Sequence, residues 1–308
     1  MRRTLMYGSL LLLFITFASF SYIALKIPLK ETGGALVSLK KRYLLLSFLL
    51  LFLYHTFDNL RLYVLSRAVK VRYSFLYGYL MSLVNTFGAT VTPAHVGGEL
   101  TAVYMLLRKG ISAHKVMSVV TMKTISGLSF FVLAFPLFIW ELGKNPGTIL
   151  PVLEIFFVIS FLFGGAYFLF SKRPSVVGFW GKLKRYGIYL KIYGYKRKRY
   201  VAASVLSSVA LYTCFLLIAP ALLMAFGGGE DCGEVLFSQL GLLYAIFVSP
   251  TPGGSGVGEL GGIVAFSPFL GPAEVGVFVI LWRLVSQYIS ALIGGILFAV
   301  LIVRDMRV

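Results

Sequence analysis

A chain that crosses a bilayer as helix must keep its backbone groups satisfied internally. The stretch that most constrains this one is therefore a place where helix cannot continue. From Val248 to Leu260 the sequence reads V-S-P-T-P-G-G-S-G-V-G-E-L, with Pro250, Pro252 and a run of glycines ahead of Glu259. A shorter relative, T-P-A-H-V-G-G-E-L, occupies Thr92–Leu100. Both hold Thr-Pro, a glycine-bearing spacer and Gly-Glu-Leu, and the second copy is one residue longer. The correspondence continues downstream. Glu99 precedes Lys123 by 24 residues and Glu259 precedes Arg283 by 24; three further on, Ser126 and Ser286 also correspond. An acid, a base and a serine at shared offsets mark an internal repeat.

The surroundings of both breaks are apolar. With 58% hydrophobic and 13% charged residues and a mean hydropathy of +0.88, several stretches meet the roughly 20-residue requirement for a spanning helix. The 308 residues are thus expected to form one polytopic membrane domain, all-α in class. The formal charge of +18 then points to cytoplasmic loops and anionic headgroups, not to nucleic acid. Cys214 and Cys232 lie at different depths of the expected fold, so they predict free thiols and no disulfide framework.

Apolar runs predict six full spans, near residues 4–25, 43–63, 116–140, 149–170, 201–226 and 273–303. The first follows Met1-Arg-Arg and reads as an uncleaved helix. Residues 171–200 carry ten Lys or Arg and no acid, which marks a cytoplasmic loop and puts both termini on the same side. His55, Asp58, Asn59 and Arg61 fall at the end of the second span, near an interface. Two segments are too broken to be pairs of spans. Ser74–Val91 and Glu99–Leu107 would meet at Thr92–Gly98, and Val235–Val248 and Gly254–Phe266 would meet at the second break. Each predicts a re-entrant hairpin. Residues 43–140 and 201–303 then have the form span, hairpin, span in opposite orientation, an inverted repeat of the kind that builds secondary transporters.

In such a repeat, the substrate site lies where the broken helices meet. The helix tips after each break, at Gly97 and Gly98 and at Gly253, Gly254, Ser255 and Gly256, offer backbone N–H groups to an anion, with Pro93, Pro250 and Pro252 enforcing the breaks. Lys123 and Arg283 lie inside spans, where an ionised side chain costs about 2.5–3.5 kcal/mol and marks a functional cavity. Glu99 and Glu259 are their natural partners, within or across halves. Asn85, His95, Ser126, Ser286 and Gln287 could line the same space. These residues predict a substrate site for an anionic headgroup, with Lys123 and Arg283 on the phosphate. Most tyrosines and tryptophans are expected in interfacial belts. No metal-ligand constellation appears, and no cofactor is implied.

Gly253-Gly254-Ser255-Gly256 is similar to the G-x-S-G of rhomboid-type proteases, but no histidine falls on the last span to act as base. Gly254–Glu259 resembles the anion-binding segment of chloride channels and exchangers. A broader likeness rests on Asn85, Pro93, Gly98 and Glu99, then Pro250 through Glu259, and Arg283. Over nearly the whole chain these residues resemble the flippase-like membrane domain of the lysylphosphatidylglycerol synthase family, which also occurs in stand-alone archaeal and bacterial proteins. At Met122, Lys123 and Ser126 the chain is less polar than that family's pattern. The resemblance implies a plasma or inner membrane protein that moves a phospholipid or lipid-linked molecule between leaflets. A separate soluble synthase or transferase would be its partner, and aminoacyl transfer is not implied. The alternatives are a membrane-embedded lipid-modifying enzyme or its lipid-presenting subunit, and a small-anion channel or exchanger.

Overall fold

A computed structural model describes residues 39–144, 146–170, 193, 195–228 and 232–306. The expected first span and most of the basic loop lie outside these residues. Among the described residues all regular structure is helical: α1 Lys41–Ala68, α2 Phe75–Thr90, α3 Val96–Leu107, α4 Ala113–Lys144, α5 Pro146–Phe170, α6 Lys198–Ala225, α7 Cys232–Val248, α8 Val257–Phe266, α9 Pro272–Arg283 and α10 Ile289–Met306. A π turn, Leu284–Tyr288, joins α9 to α10. By length and composition, four helices can cross a membrane: Lys41–Ala68, Ala113–Lys144, Lys198–Ala225 and Glu274–Asp305. Helices α3 and α7 are shorter apolar segments.

The outward-facing residues are apolar too. Val132, Leu133, Trp140, Phe161 and Leu292 are each at least 63% exposed, a density of apolar surface that hydrocarbon, not water, accommodates. Inside, one apolar cluster gathers Leu62, Leu65, Met81, Val84, Met105 and Val119 around α2 and α3. A second gathers Leu222, Leu242, Val257, Phe266, Phe278 and Trp282 around α7 and α8.

The most extensive helix contact runs between α1 and α6. Helix α2 folds back on α3 and α7 on α8. Further contacts join α10 to α2 and α4 to α7, α3 to α4 and α8 to α9, α1 to α2 and α6 to α7, and α1 to α4 and α6 to α9. The α2–α3 pair is antiparallel, since Tyr77 at the start of α2 donates to the Met105 carbonyl near the end of α3, 2.9 Å away. Backbones touch where the pair crosses: a Cβ on Gly88 would lie 2.5 Å from the Gly97 carbonyl oxygen. At the far end of α3, Arg108 forks onto Asp305 at the end of α10, with Nε to Oδ2 at 2.7 Å and Nη2 to Oδ1 at 2.6 Å.

The two breaks follow one backbone path. Helix α7 stops at Val248, two residues ahead of Pro250, and Thr251 before Pro252 is extended at φ −80°, ψ 148°, as a residue preceding proline must be. A short 3-10 turn follows in each copy, Pro93–His95 and Pro252–Gly254. Inside it, Ala94 and His95 have φ of 49° and 58°, and their counterparts Gly253 and Gly254 have 57° and 66°. The repeated threonines close the turns. Thr92 Oγ1 donates to the Gly88 carbonyl at 2.7 Å and accepts from the Gly97 N–H at 2.7 Å. Thr251 Oγ1 donates to the Ser255 carbonyl at 2.8 Å. Sequence puts the first break at Thr92–Gly98, but α3 already starts at Val96 because the Thr92 hydroxyl supplies its first turn with an acceptor.

Candidate functional site

The two breaks contact each other, and what joins them is polar. Gln287, carried inward by the π turn, donates from Nε2 to Thr90 Oγ1 at 3.0 Å. A Cβ on Gly253 would sit 2.4 Å from that same Nε2 and 3.2 Å from the Thr90 carbonyl oxygen, so a side chain there would displace Gln287 and crowd the end of α2. Beside this junction lies a cavity of ≈170 Å3.

Eight of the residues singled out in the sequence line it, among them Asn85, Gly98 and Glu99 from the first hairpin, Lys123 from α4 and Arg283 from the end of α9. His95, Ser286 and Gln287 line it as well. Ser126 does not; its Oγ meets Ser204 Oγ at 2.7 Å, between α4 and α6. Gly97, Gly253, Gly254, Ser255, Gly256 and Glu259 are all buried but stand behind the wall, not in it.

The ionic pairing is asymmetric. Arg283 Nε donates to Glu259 Oε1 at 2.9 Å, and Arg283 Nη2 donates to the Gly253 carbonyl at 2.9 Å and to the Tyr288 hydroxyl at 3.2 Å. Tyr288 donates in turn to Glu259 Oε1, whose other oxygen accepts from the Gly256 N–H at 2.6 Å. The expected pair of Glu259 with Arg283 therefore forms within the second half and holds the break together. A Cβ on Gly258 would be 2.8 Å from the Arg283 guanidinium carbon, so α8 presses flat against it.

Glu99 and Lys123 do not repeat this pairing. The Lys123 ammonium lies 3.7 Å from Asp58 Oδ1, and the same oxygen accepts from Arg61 Nη2 at 2.6 Å. Among the described residues Glu99 makes no ion pair, and its Oε2 is buried without a hydrogen-bond partner. Asn85 Nδ2 and Ser286 Oγ are likewise buried and unpartnered, on side chains only 5% exposed. Asn85 Oδ1 accepts from Thr101 at 3.1 Å.

At each helix tip the chain itself takes one backbone donor. Thr92 takes the Gly97 N–H and Glu259 takes the Gly256 N–H, so one donor at each tip already has an acceptor within the chain.

Sequence reasoning misses half of the wall. Asp58, Arg61, Tyr54 and Tyr212 all line the cavity, whereas sequence alone puts the first two at an interface and the tyrosines in belts. The reason is that α1 continues to Ala68, about a turn and a half beyond Tyr63. The signal is present: an acid and a base three residues apart inside an apolar helix are an intramembrane pair. His55 is also internal, with Ser82 Oγ at 2.8 Å from Nδ1 and Ser290 Oγ at 2.7 Å from Nε2.

The sequence model of the lysylphosphatidylglycerol synthase TM region matches residues 6–294. The chain belongs to this family. A relative from Archaeoglobus fulgidus, a "UPF0104 membrane protein", is 23% identical over 277 residues, covering 82% of this chain and 84% of the relative. The family match takes in both breaks, α4 and Arg283, so the whole cavity lies inside the region that defines the family. With four candidate spans, this member is a multi-pass membrane protein.

Proposed function

We propose that the protein is a lipid translocase that takes an anionic phospholipid or lipid-linked headgroup into the cavity between its two helix breaks. The observation that carries this reading is the convergence of Asn85, Gly98, Glu99, Lys123 and Arg283, drawn from both copies of the repeat, on one cavity. Ionisable groups at membrane depth are costly and mark substrate pathways. Asn85 and Ser286 add buried polar atoms that no group among the described residues satisfies, and such atoms call for a polar ligand.

In this reading Lys123 and Arg61 receive the phosphate, because they share a single carboxylate, Asp58. Arg283 is held by Glu259, Gly253 and Tyr288, and with Gly254, Ser255 and Gly256 it keeps the second break in shape. Gly97 and Gly98 let α2 and α3 close on the first.

The proposed architecture is six spans and two re-entrant hairpins, with 43–140 and 201–303 as inverted repeats and both termini cytoplasmic in a plasma or inner membrane. The pairing of contacts supports it. The α1–α6 and break–break contacts are each their own counterpart, α10–α2 answers α4–α7, α3–α4 answers α8–α9, and α1–α2 answers α6–α7. A two-fold relation between the halves accounts for that pattern. Rocking of one half against the other would open the cavity first to one leaflet and then to the other.

Reconstitution in liposomes tests the proposal by measuring leaflet exchange of labelled anionic and zwitterionic lipids. Exchange that falls in folded Lys123→Gln and Arg61→Gln variants supports it. Exchange that persists in both puts the route elsewhere, and a folded protein that exchanges no lipid is not a translocase.

A further inference from the structure

The formal charges around the cavity sum to zero before any ligand enters. Asp58, Arg61, Glu99, Lys123 and Arg283 line it, and Glu259 stands directly behind Arg283. Asp58, Glu99 and Glu259 thus oppose Arg61, Lys123 and Arg283, three carboxylates to three cations. A monoanionic phosphodiester would bring one negative charge too many among groups that are mostly buried, where an unbalanced charge is expensive.

Only one of the carboxylates can change its state without dismantling the fold. Asp58 lies between Arg61 and Lys123. Glu259 accepts from Arg283, Tyr288 and the Gly256 N–H. Glu99 has neither an ion pair nor, at Oε2, a hydrogen-bond partner among the described residues.

We propose that Glu99 takes up a proton when the cavity binds a monoanionic phosphodiester headgroup and releases it when the headgroup leaves, so that translocation is proton-linked. This rests on the translocase reading above and adds its coupling ion. In the empty cavity, ionised Glu99 balances the one positive charge left over by Arg61, Lys123 and Asp58. In the loaded cavity the phosphodiester takes over that role. Two negative charges facing the same cations favour protonation of the one that can accept it. The titratable and charged groups turned toward this space from the surrounding elements are Tyr54, Asp58 and Arg61 of α1, Lys123 of α4, Tyr212 of α6, His95 of the first break and Arg283 of α9. The two carboxylates not free to accept the proton are tied as described. His95 stacks on Phe247 with ring centroids 6.3 Å apart, and its protonation would put a fourth cation in the wall.

The test uses the purified full chain in dodecyl maltoside micelles, which carry no phosphate. Titration calorimetry in two buffers of different ionisation enthalpy counts protons taken up with dihexanoyl phosphatidylglycerol, dihexanoyl phosphatidylcholine and inorganic phosphate. We expect about one proton with phosphatidylglycerol, an affinity that falls about tenfold per pH unit across the linked range, and no uptake with phosphatidylcholine, whose ammonium supplies the balancing charge. Glu99→Gln should bind phosphatidylglycerol with no uptake and no pH slope. Binding without uptake in the wild type overturns the proposal, as does uptake that survives in Glu99→Gln. Should that variant not fold, the wild-type count for the two lipids decides alone. Inorganic phosphate binding as tightly as phosphatidylglycerol would reassign the site to a free anion and overturn the lipid-linked coupling. Leaflet exchange without proton uptake sinks this inference only, whereas absence of exchange sinks the translocase reading itself.

Discussion

Arg283 Nε and Glu259 Oε1 meet at 2.9 Å with both side chains 1% exposed, and through them α9 is fastened to the first turn of α8. Removing one member of such a buried pair strands the other and typically costs about 3–5 kcal/mol, whereas replacing both with apolar residues of similar volume is often close to neutral. Arg283→Met should therefore lower stability by roughly that amount, and Arg283→Met with Glu259→Leu should recover part of it, the remainder reflecting the lost Gly256 cap. Unfolding in mixed micelles monitored by circular dichroism measures both. Equal losses in the single and double variants would show that the pair is not what fastens the break.

The first break holds two non-glycine residues in left-handed geometry where the second holds glycines. An L-residue there carries a strain of about 1–2 kcal/mol. Ala94 is exposed, so replacing it removes no packing. Ala94→Gly should raise stability by about 0.5–1 kcal/mol once the entropy gained by the unfolded chain is deducted, seen as a small rise in melting temperature. Gly253→Ala should move the other way and further, since its Cβ would also meet Gln287. Melting temperatures that move in the same direction for both would contradict the shared backbone path.

Thr92 occupies a different level of the same design, as a single hydroxyl that serves both sides of the turn. Thr92→Val keeps the shape, deletes a donor to Gly88 and leaves the Gly97 N–H without its acceptor. A buried donor left unsatisfied costs about 1–3 kcal/mol. Amide exchange should accelerate at Gly97 and its neighbours while α1 and α6 keep their protection. Uniform acceleration across the fold would mean that the turn has no separate stability.

Much of this is legible in the sequence. The Thr-Pro and Gly-Glu-Leu repeat predicts two breaks with equivalent backbones, and the shared offset marks Glu259 and Arg283 as candidate partners while leaving open whether pairs form within or across halves. The same offset fails for Lys123 and Glu99. The reason lies on α1, outside the repeated motif, where Asp58 reaches Lys123 first. Sequence periodicity ends that helix near Tyr63 and puts His55, Asp58, Asn59 and Arg61 at an interface. An apolar helix that runs a little further carries all four inside, and hydropathy alone does not tell a snorkelling charge from a cavity charge. Nor does glycine at a helix tip reveal whether its N–H is free. Here Thr92 and Glu259 reach those donors, a matter of side-chain placement that spacing does not encode.

Asp58 provides the sharpest consequence of the charge balance. Asp58→Asn keeps the size of the side chain but leaves Arg61 and Lys123 without their shared carboxylate, so ionised Glu99 no longer brings the cavity to neutrality. A phosphodiester could then enter and cancel the surplus with Glu99 still ionised. The folded fraction of Asp58→Asn should bind dihexanoyl phosphatidylglycerol more tightly than the wild type at high pH, with proton uptake reduced from about one toward zero. Two cations left facing each other are also mutually destabilising, so the melting temperature should fall in the absence of lipid and recover as phosphatidylglycerol is added. Lipid that restores the melting temperature while proton uptake stays near one would place the proton acceptor on a group other than Glu99.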